Sequence, residues 1–171
     1  MGTVTRRAVR TYLEMRDPSL LNPAGAPDGP VTVEREEQCP PELYRRLYAD
    51  VGQEYHWVDR LGWSDAEIAN HLADPRLELW VLREDRQPAG YFELRRYDDG
   101  TVEVAYFGLL PHAVGRGLGK FMLTRATQRA WDLGAARVWL HTSSLDHSSA
   151  LPNYLARGFT IWKQETYDVA P

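Results

Sequence analysis

A single cysteine, Cys39, stands in a chain of 171 residues. One thiol makes no internal disulfide, and no Cys/His cluster with metal-ligand spacing accompanies it. Followed by Pro40-Pro41, Cys39 reads as a buried or incidental thiol rather than a nucleophile. Long apolar runs are absent as well: none approaches the roughly 20 residues that a membrane span needs. Arg6, Arg7 and Arg10 precede no apolar segment, so the start does not read as a secretory leader. A basic excess is also missing. The formal net charge of -4 offers no field for nucleic acid or an anionic membrane. Repeats and low-complexity segments are absent. These absences predict a cytoplasmic protein with no metal, nucleic acid or membrane partner. The length suits one domain with a real core. That domain is expected to fill residues 1–171, with residues 1–30 forming an N-terminal strand and a Pro/Gly-rich loop.

What is present is an alternation of strand- and helix-forming segments. Ala8 to Met15 predicts a strand, with Val9, Tyr12 and Leu13 as β-formers. Asp17 to Pro30 holds Pro18, Pro23, Pro27, Pro30, Gly25 and Gly29 and predicts a loop. Val31 to Arg35 is a second short strand. Pro41 suits a helix's first turn, and Leu43, Leu47 and Val51 follow at helical spacing. Gly52 to Gly62 is aromatic-rich, with Tyr55, His56 and Trp57, and Trp63 just beyond. Ser64 and Glu67 form a capping-box pattern for a helix ending near Asp74-Pro75. Leu77–Arg83, Ala89–Tyr97 and Val102–Leu110 predict three antiparallel strands, with turns at Glu84–Gln87 and Asp98-Asp99-Gly100. Leu118, Met122, Ala126, Ala130 and Leu133 form the apolar stripe of a helix that Gly134 ends. Arg137–Thr142 is a buried-type strand. Ser148 or Ser149 opens a helix closing at Arg157-Gly158, and Phe159–Tyr167 is the last strand.

The most informative stretch is Val114-Gly115-Arg116-Gly117-Leu118-Gly119-Lys120, between a strand closed by Pro111 and the long helix. Glycines let backbone approach a phosphate closely. The first helical N–H groups are free, and the helix dipole favours negative charge there. A Walker A loop needs a glycine where Val114 stands and Ser or Thr where Phe121 stands, so that reading fails. A dinucleotide loop belongs after the first strand of an early βαβ unit, with different glycine spacing, so that reading fails too. Tight strand-to-helix packing is the plainer use of such a turn.

The order of elements, this loop, and Ala150-Leu151-Pro152-Asn153-Tyr154-Leu155-Ala156-Arg157-Gly158-Phe159 together resemble the GNAT superfamily of acyl-CoA-dependent N-acyltransferases. The resemblance runs from about Val31 to Tyr167. Gly117 and Gly119 align with the two small positions of the family loop, which Leu109, Leu110 and Pro111 introduce. Ala150, Tyr154, Gly158 and Phe159 meet the late pattern. Val114 stands where the family usually has Gln or Arg, which removes a side-chain contact to pyrophosphate but keeps the backbone N–H. His147 stands where an Asn often contacts the cofactor. The resemblance implies an α/β fold (an α+β mixed sheet): a central, mostly antiparallel sheet, splayed by a bulge, with helices on both faces. It implies acetyl-CoA (CoA) as cofactor, held by Leu109, Leu110, Val114, Gly115, Arg116, Gly117, Leu118, Gly119, Lys120 and Asn153. It also implies that the strand before the loop pairs with the pantetheine amides, with Gly108 as a bulge or close-approach point.

Acyl transfer to an amine requires deprotonating an ammonium of pKa near 10 and protonating a thiolate. Glu103, mid-strand, is the leading candidate base, directly or through water. Period-2 alternation puts it on a face with Ala105 and Phe107, and Val102, Val104 and Tyr106 on the other. A solvent-facing cross-strand Glu is the plainer reading of it. Glu93, His112 and His141 are weaker candidates, and Asp146 suits an N-cap. The resemblance gives Tyr154 as the acid near the sulfur. No Cys or Ser nucleophile constellation exists, so direct attack in a ternary complex is expected. The acceptor, a small-molecule or peptide amine, is expected near Tyr55, Trp57 and Tyr106. Asp59 or Glu54 could pair with its ammonium. Monomer and homodimer both remain open, and so does a CoA-binding sensor or regulatory module without catalysis.

Overall fold

The computed structural model describes residues 5–169. The expected single domain also takes in residues 1–4 and 170–171, which lie outside the described residues. The strands are β1 (Arg6–Met15), β2 (Val31–Arg35), β3 (Leu77–Glu84), β4 (Gln87–Arg96), β5 (Thr101–Leu109), β6 (Arg137–Ser143) and β7 (Thr160–Val169). The helices are α1 (Pro41–Gly52), α2 (Asp65–Leu72), α3 (Leu118–Asp132) and α4 (Ala150–Ala156). The strands form one sheet in the order β2-β3-β4-β5-β6-β1-β7. Only the β5–β6 pair is parallel among the described residues.

Local chemistry accounts for the elements. Ser64 and Glu67 close the capping box that opens α2, each side chain bonding the other's backbone N–H. Asp85 and Arg86 both take positive φ, as a two-residue turn between β3 and β4 demands. Leu118, Met122, Ala126 and Ala130 turn the α3 stripe into the main core, against Leu13, Phe92, Val104 and Leu140 from the sheet. A second core lies on the opposite face, where Tyr44, Leu47 and Val51 of α1 and Ile68 of α2 meet Leu79, Val81 and Tyr91. Helices therefore cover both faces.

One expectation is overturned in β5. Val104 pairs with Leu94, but Tyr106, not Ala105, pairs with Glu93. Ala105 is an extra residue, a β-bulge, and a one-residue slip exchanges the two faces of everything beyond it. Tyr106 therefore joins the second core, on the side of Glu103, and Phe107 packs against the main core. The bulge lies at Ala105; Gly108 is instead a close-approach point, where a Cβ would collide with Val51. Beyond it the sheet opens. The β5–β6 ladder runs only from Thr101↔Arg137 to Glu103↔Trp139. Among the described residues, β5 has no strand partner on that side from Val104 onward.

Candidate active site

Two cavities share the opening between β5 and β6. The smaller, of about 290 Å³, lies between the end of β5, the glycine loop and α4. Gly115 and Gly117 take φ of 85° and 78°, a left-handed conformation that costs other residues strain. Gly117 is the N-cap of α3, so the turn presents backbone rather than side chains at the helix start. Leu109, Val114, Gly115, Gly117, Gly119, Lys120 and Asn153, all candidate cofactor contacts, line this cavity.

Leu110, Arg116 and Leu118 do not line it. Leu110 packs against the second core. Arg116 turns away to an ion pair with Glu84. The side chain of Leu118 is buried in the main core, so only its backbone N–H is left for the loop. Gly108, Asp146, His147, Ser149 and Ala150 complete the wall. Asp146 does not cap α4, whose N-cap is Ser149. Its carboxylate instead accepts from Thr142 Oγ1 at 2.7 Å, the backbone N–H of Ser143 at 2.8 Å, and Trp57 Nε1 at 3.4 Å.

The larger cavity, of about 740 Å³, is polar and lies over the sheet beside Glu103 and His141. Tyr55, Trp57, Phe107, Asp146 and Tyr154 line both cavities, so these residues mark their junction. Tyr106 lines the larger one and meets Trp57 edge-on at 5.0 Å between ring centroids. Trp57 and Trp63 of the aromatic-rich loop pack against the second core, and Tyr55 and Trp57 wall the cavities.

Two buried glutamates on adjacent strands differ in their surroundings. Glu93 is fully buried. It accepts from Tyr44 Oη at 2.9 Å and from Arg60 at 2.9 and 3.0 Å, and His71 Nε2 lies 2.7 Å away. Burial disfavours its charge, but the contacts with His71, Arg60 and Tyr44 win and hold its carboxyl below the ordinary value. It is an anchor for the loop that carries Arg60, poorly suited to take a proton. Glu103 is 7% exposed and accepts one strong hydrogen bond, from Tyr97 Oη at 2.6 Å. His141 Nε2 is 3.8 Å away. Burial pushes the Glu103 carboxyl up, against the hydrogen bond from Tyr97 and the charge of Arg95. A buried carboxylate with a raised proton affinity, facing a polar cavity, is suited to general base chemistry.

Burial also raises the phenol of Tyr154, which keeps it protonated, and lowers the imidazole of His141. His112 lines a separate hollow beside α1, away from both cavities. Cys39 is buried, and burial pushes its thiol up to about 11, which leaves it inert. Tyr97, Arg95 and Arg60 escaped the sequence reading. Counting outward from the Asp98-Asp99-Gly100 turn puts Arg95 opposite Glu103, so that neighbour was legible. Nothing in the sequence marks Arg60, which reaches Glu93 from an irregular loop.

The model of the acetyltransferase (GNAT) family matches residues 35–159. A protein named as an uncharacterized N-acetyltransferase from Mycobacterium tuberculosis is 35% identical over 104 residues, covering 61% of this chain and 66% of that one. A mycothiol acetyltransferase from Mycobacteroides abscessus is 32% identical over 107 residues, covering 58% of this chain and 36% of that one. The chain thus spans less than two thirds of the length of either relative. In structure it resembles a GCN5-related N-acetyltransferase from Kribbella flavida, with a TM-score of 0.65 and 23% identity over 90% of this chain and 54% of that one. A second such protein, from Sphaerobacter thermophilus, gives a TM-score of 0.65 at 16% identity over 98% of this chain and 54% of that one.

Proposed function

The chain belongs to the acetyltransferase (GNAT) family and is an acyltransferase enzyme, and on that premise we propose that it moves the acetyl group of acetyl-CoA to a primary amine by direct attack in a ternary complex. We read residues 1–171 as one catalytic unit. The observation that carries the reading is the meeting, at Tyr154, of a glycine-loop cavity and a polar cavity beside Glu103.

The glycine loop fits a diphosphate. Its backbone N–H groups from Gly115 to Lys120 would take the phosphate oxygens, helped by the dipole of α3 and the ammonium of Lys120. The stretch of β5 near Phe107–Leu109 is paired with β4 on one edge, and its other edge would offer N–H and C=O groups to the pantetheine amides, as a neighbouring strand would. A backbone N–H near Leu109 would face the carbonyl oxygen as charge develops on it. On the other side of the junction, Glu103 takes a proton from the ammonium so that the nitrogen lone pair attacks. As the C–S bond breaks, Tyr154, held protonated by burial, donates a proton to the departing sulfur, and the second proton lost by the new amide nitrogen restores the phenol. Tyr55, Trp57 and Tyr106 wall the acceptor.

The test is thiol release from acetyl-CoA with a panel of amines. Wild-type protein should release thiol, and Tyr154→Phe should lower kcat on the order of a hundredfold while acetyl-CoA affinity holds. Unchanged turnover in Tyr154→Phe would remove the phenol from the mechanism.

A further inference from the structure

Charged groups of both signs face the larger cavity, and most are spent on the protein itself. Arg60 is bound to Glu93 at 2.9 Å and Arg10 to Glu165 at 3.1 Å. Asp146 is taken by Thr142 and Ser143. Asp59 and Asp168 are exposed. Arg95 differs. It sits directly opposite Glu103 in the β4–β5 ladder, so both side chains leave the same face of adjacent strands, about 4.8 Å apart. Glu103 is engaged by Tyr97 at 2.6 Å. Arg95 has a long ion pair, 3.8 Å to Asp74, and its guanidinium lies 5.7 Å from the Tyr97 ring centre. Its side chain is 35% exposed and lines the cavity. A guanidinium carries five N–H donors in a planar fork, and a carboxylate matches that fork. This fork has donors to spare beside the base.

We infer that the acceptor is an amine that bears a carboxylate a few bonds from its nitrogen, an amino acid or a close analogue, with Arg95 holding the carboxylate and Glu103 facing the amino group. The inference rests on the acetyl-transfer reading above. The single-strand offset between Arg95 and Glu103 sets the short spacing of the two groups. A polycationic acceptor would bring a second ammonium against Arg95, which opposes it by like charge.

The experiment uses thiol release from acetyl-CoA with matched probes: phenylalanine, its amide and phenethylamine, and alanine, its amide and ethylamine. In wild-type protein the acid should exceed its amide and its decarboxylated partner in kcat/KM on the order of ten- to a hundredfold, the worth of hydrogen bonds to a charged group. In Arg95→Gln that ratio should fall toward one, and Arg95→Lys should keep part of it. Melting curves establish that both variants fold. A wild-type ratio near or below one, or a ratio that survives in Arg95→Gln, overturns the inference and leaves acetyl transfer standing. Absence of thiol release with every probe and with simple diamines overturns acetyl transfer and this inference together.

Discussion

Glu103 sits where burial and chemistry pull in opposite directions. Its carboxyl is raised by desolvation, so the folded state favours the protonated form. Such a group contributes stability below the unfolded pKa, near 4.3 for a free glutamate, and loses it as pH rises through the folded value. At neutral pH its charge is a cost to the fold. Glu103→Gln should therefore melt no lower than wild type at pH 7, because the amide can still accept from Tyr97. The same variant should lose turnover on the order of a hundredfold or more. It should also lose the ascending limb of the kcat/KM profile, whose inflection in wild type is expected above the free-glutamate value. A variant that melts well below wild type while keeping that limb would assign Glu103 to the scaffold. Glu93 behaves oppositely: its contribution is present above the unfolded pKa and lost as pH falls through its depressed value. Both glutamates were visible as candidates in the sequence. What separates them is distant for one and local for the other: Arg60 and His71 reach Glu93 from 33 and 22 residues away, and Tyr97 reaches Glu103 from six residues away across the hairpin turn.

Among the elements, β1 joins the two ends of the described chain. It pairs with β6 on one edge and β7 on the other, and buries Ala8, Leu13 and Met15. Its residues were legible as a strand, but its place was not. Nothing local says that a first strand is inserted between the last two, because that pairing depends on contacts more than a hundred residues apart. Deleting residues through Met15 should leave β7 without a strand partner and β6 without its antiparallel one. The loss of buried Leu13 and Met15 costs about 1.5–3 kcal/mol each. The truncated chain should show no cooperative melting transition by circular dichroism; a transition like that of the full chain would mean that β1 is dispensable. The β5 bulge shows the same limit on a smaller scale. Alternation ran correctly through Val102, Glu103 and Val104, and failed at Ala105, where no glycine or proline announces the extra residue. The α2 capping box and the glycine-loop start of α3 were legible because each is specified within a few residues.

Across the whole molecule, the sheet stops being continuous between β5 and β6. The β5–β6 ladder ends at Glu103↔Trp139, and both cavities occupy the resulting gap. The main core fixes one side of it through α3 and α4, and the second core fixes the other through α1, α2 and the aromatic loop. Among the described residues no helix is long and apolar enough to cross a membrane. The proposed acetyl transfer requires the glycine loop to grip a diphosphate with its backbone. Calorimetric titration of acetyl-CoA into the wild-type chain and into Gly117→Asp tests this most directly. A single saturable site in wild type that is abolished in a folded Gly117→Asp is the predicted result. No heat from well-folded wild type, or equal affinity in the two proteins, would contradict it.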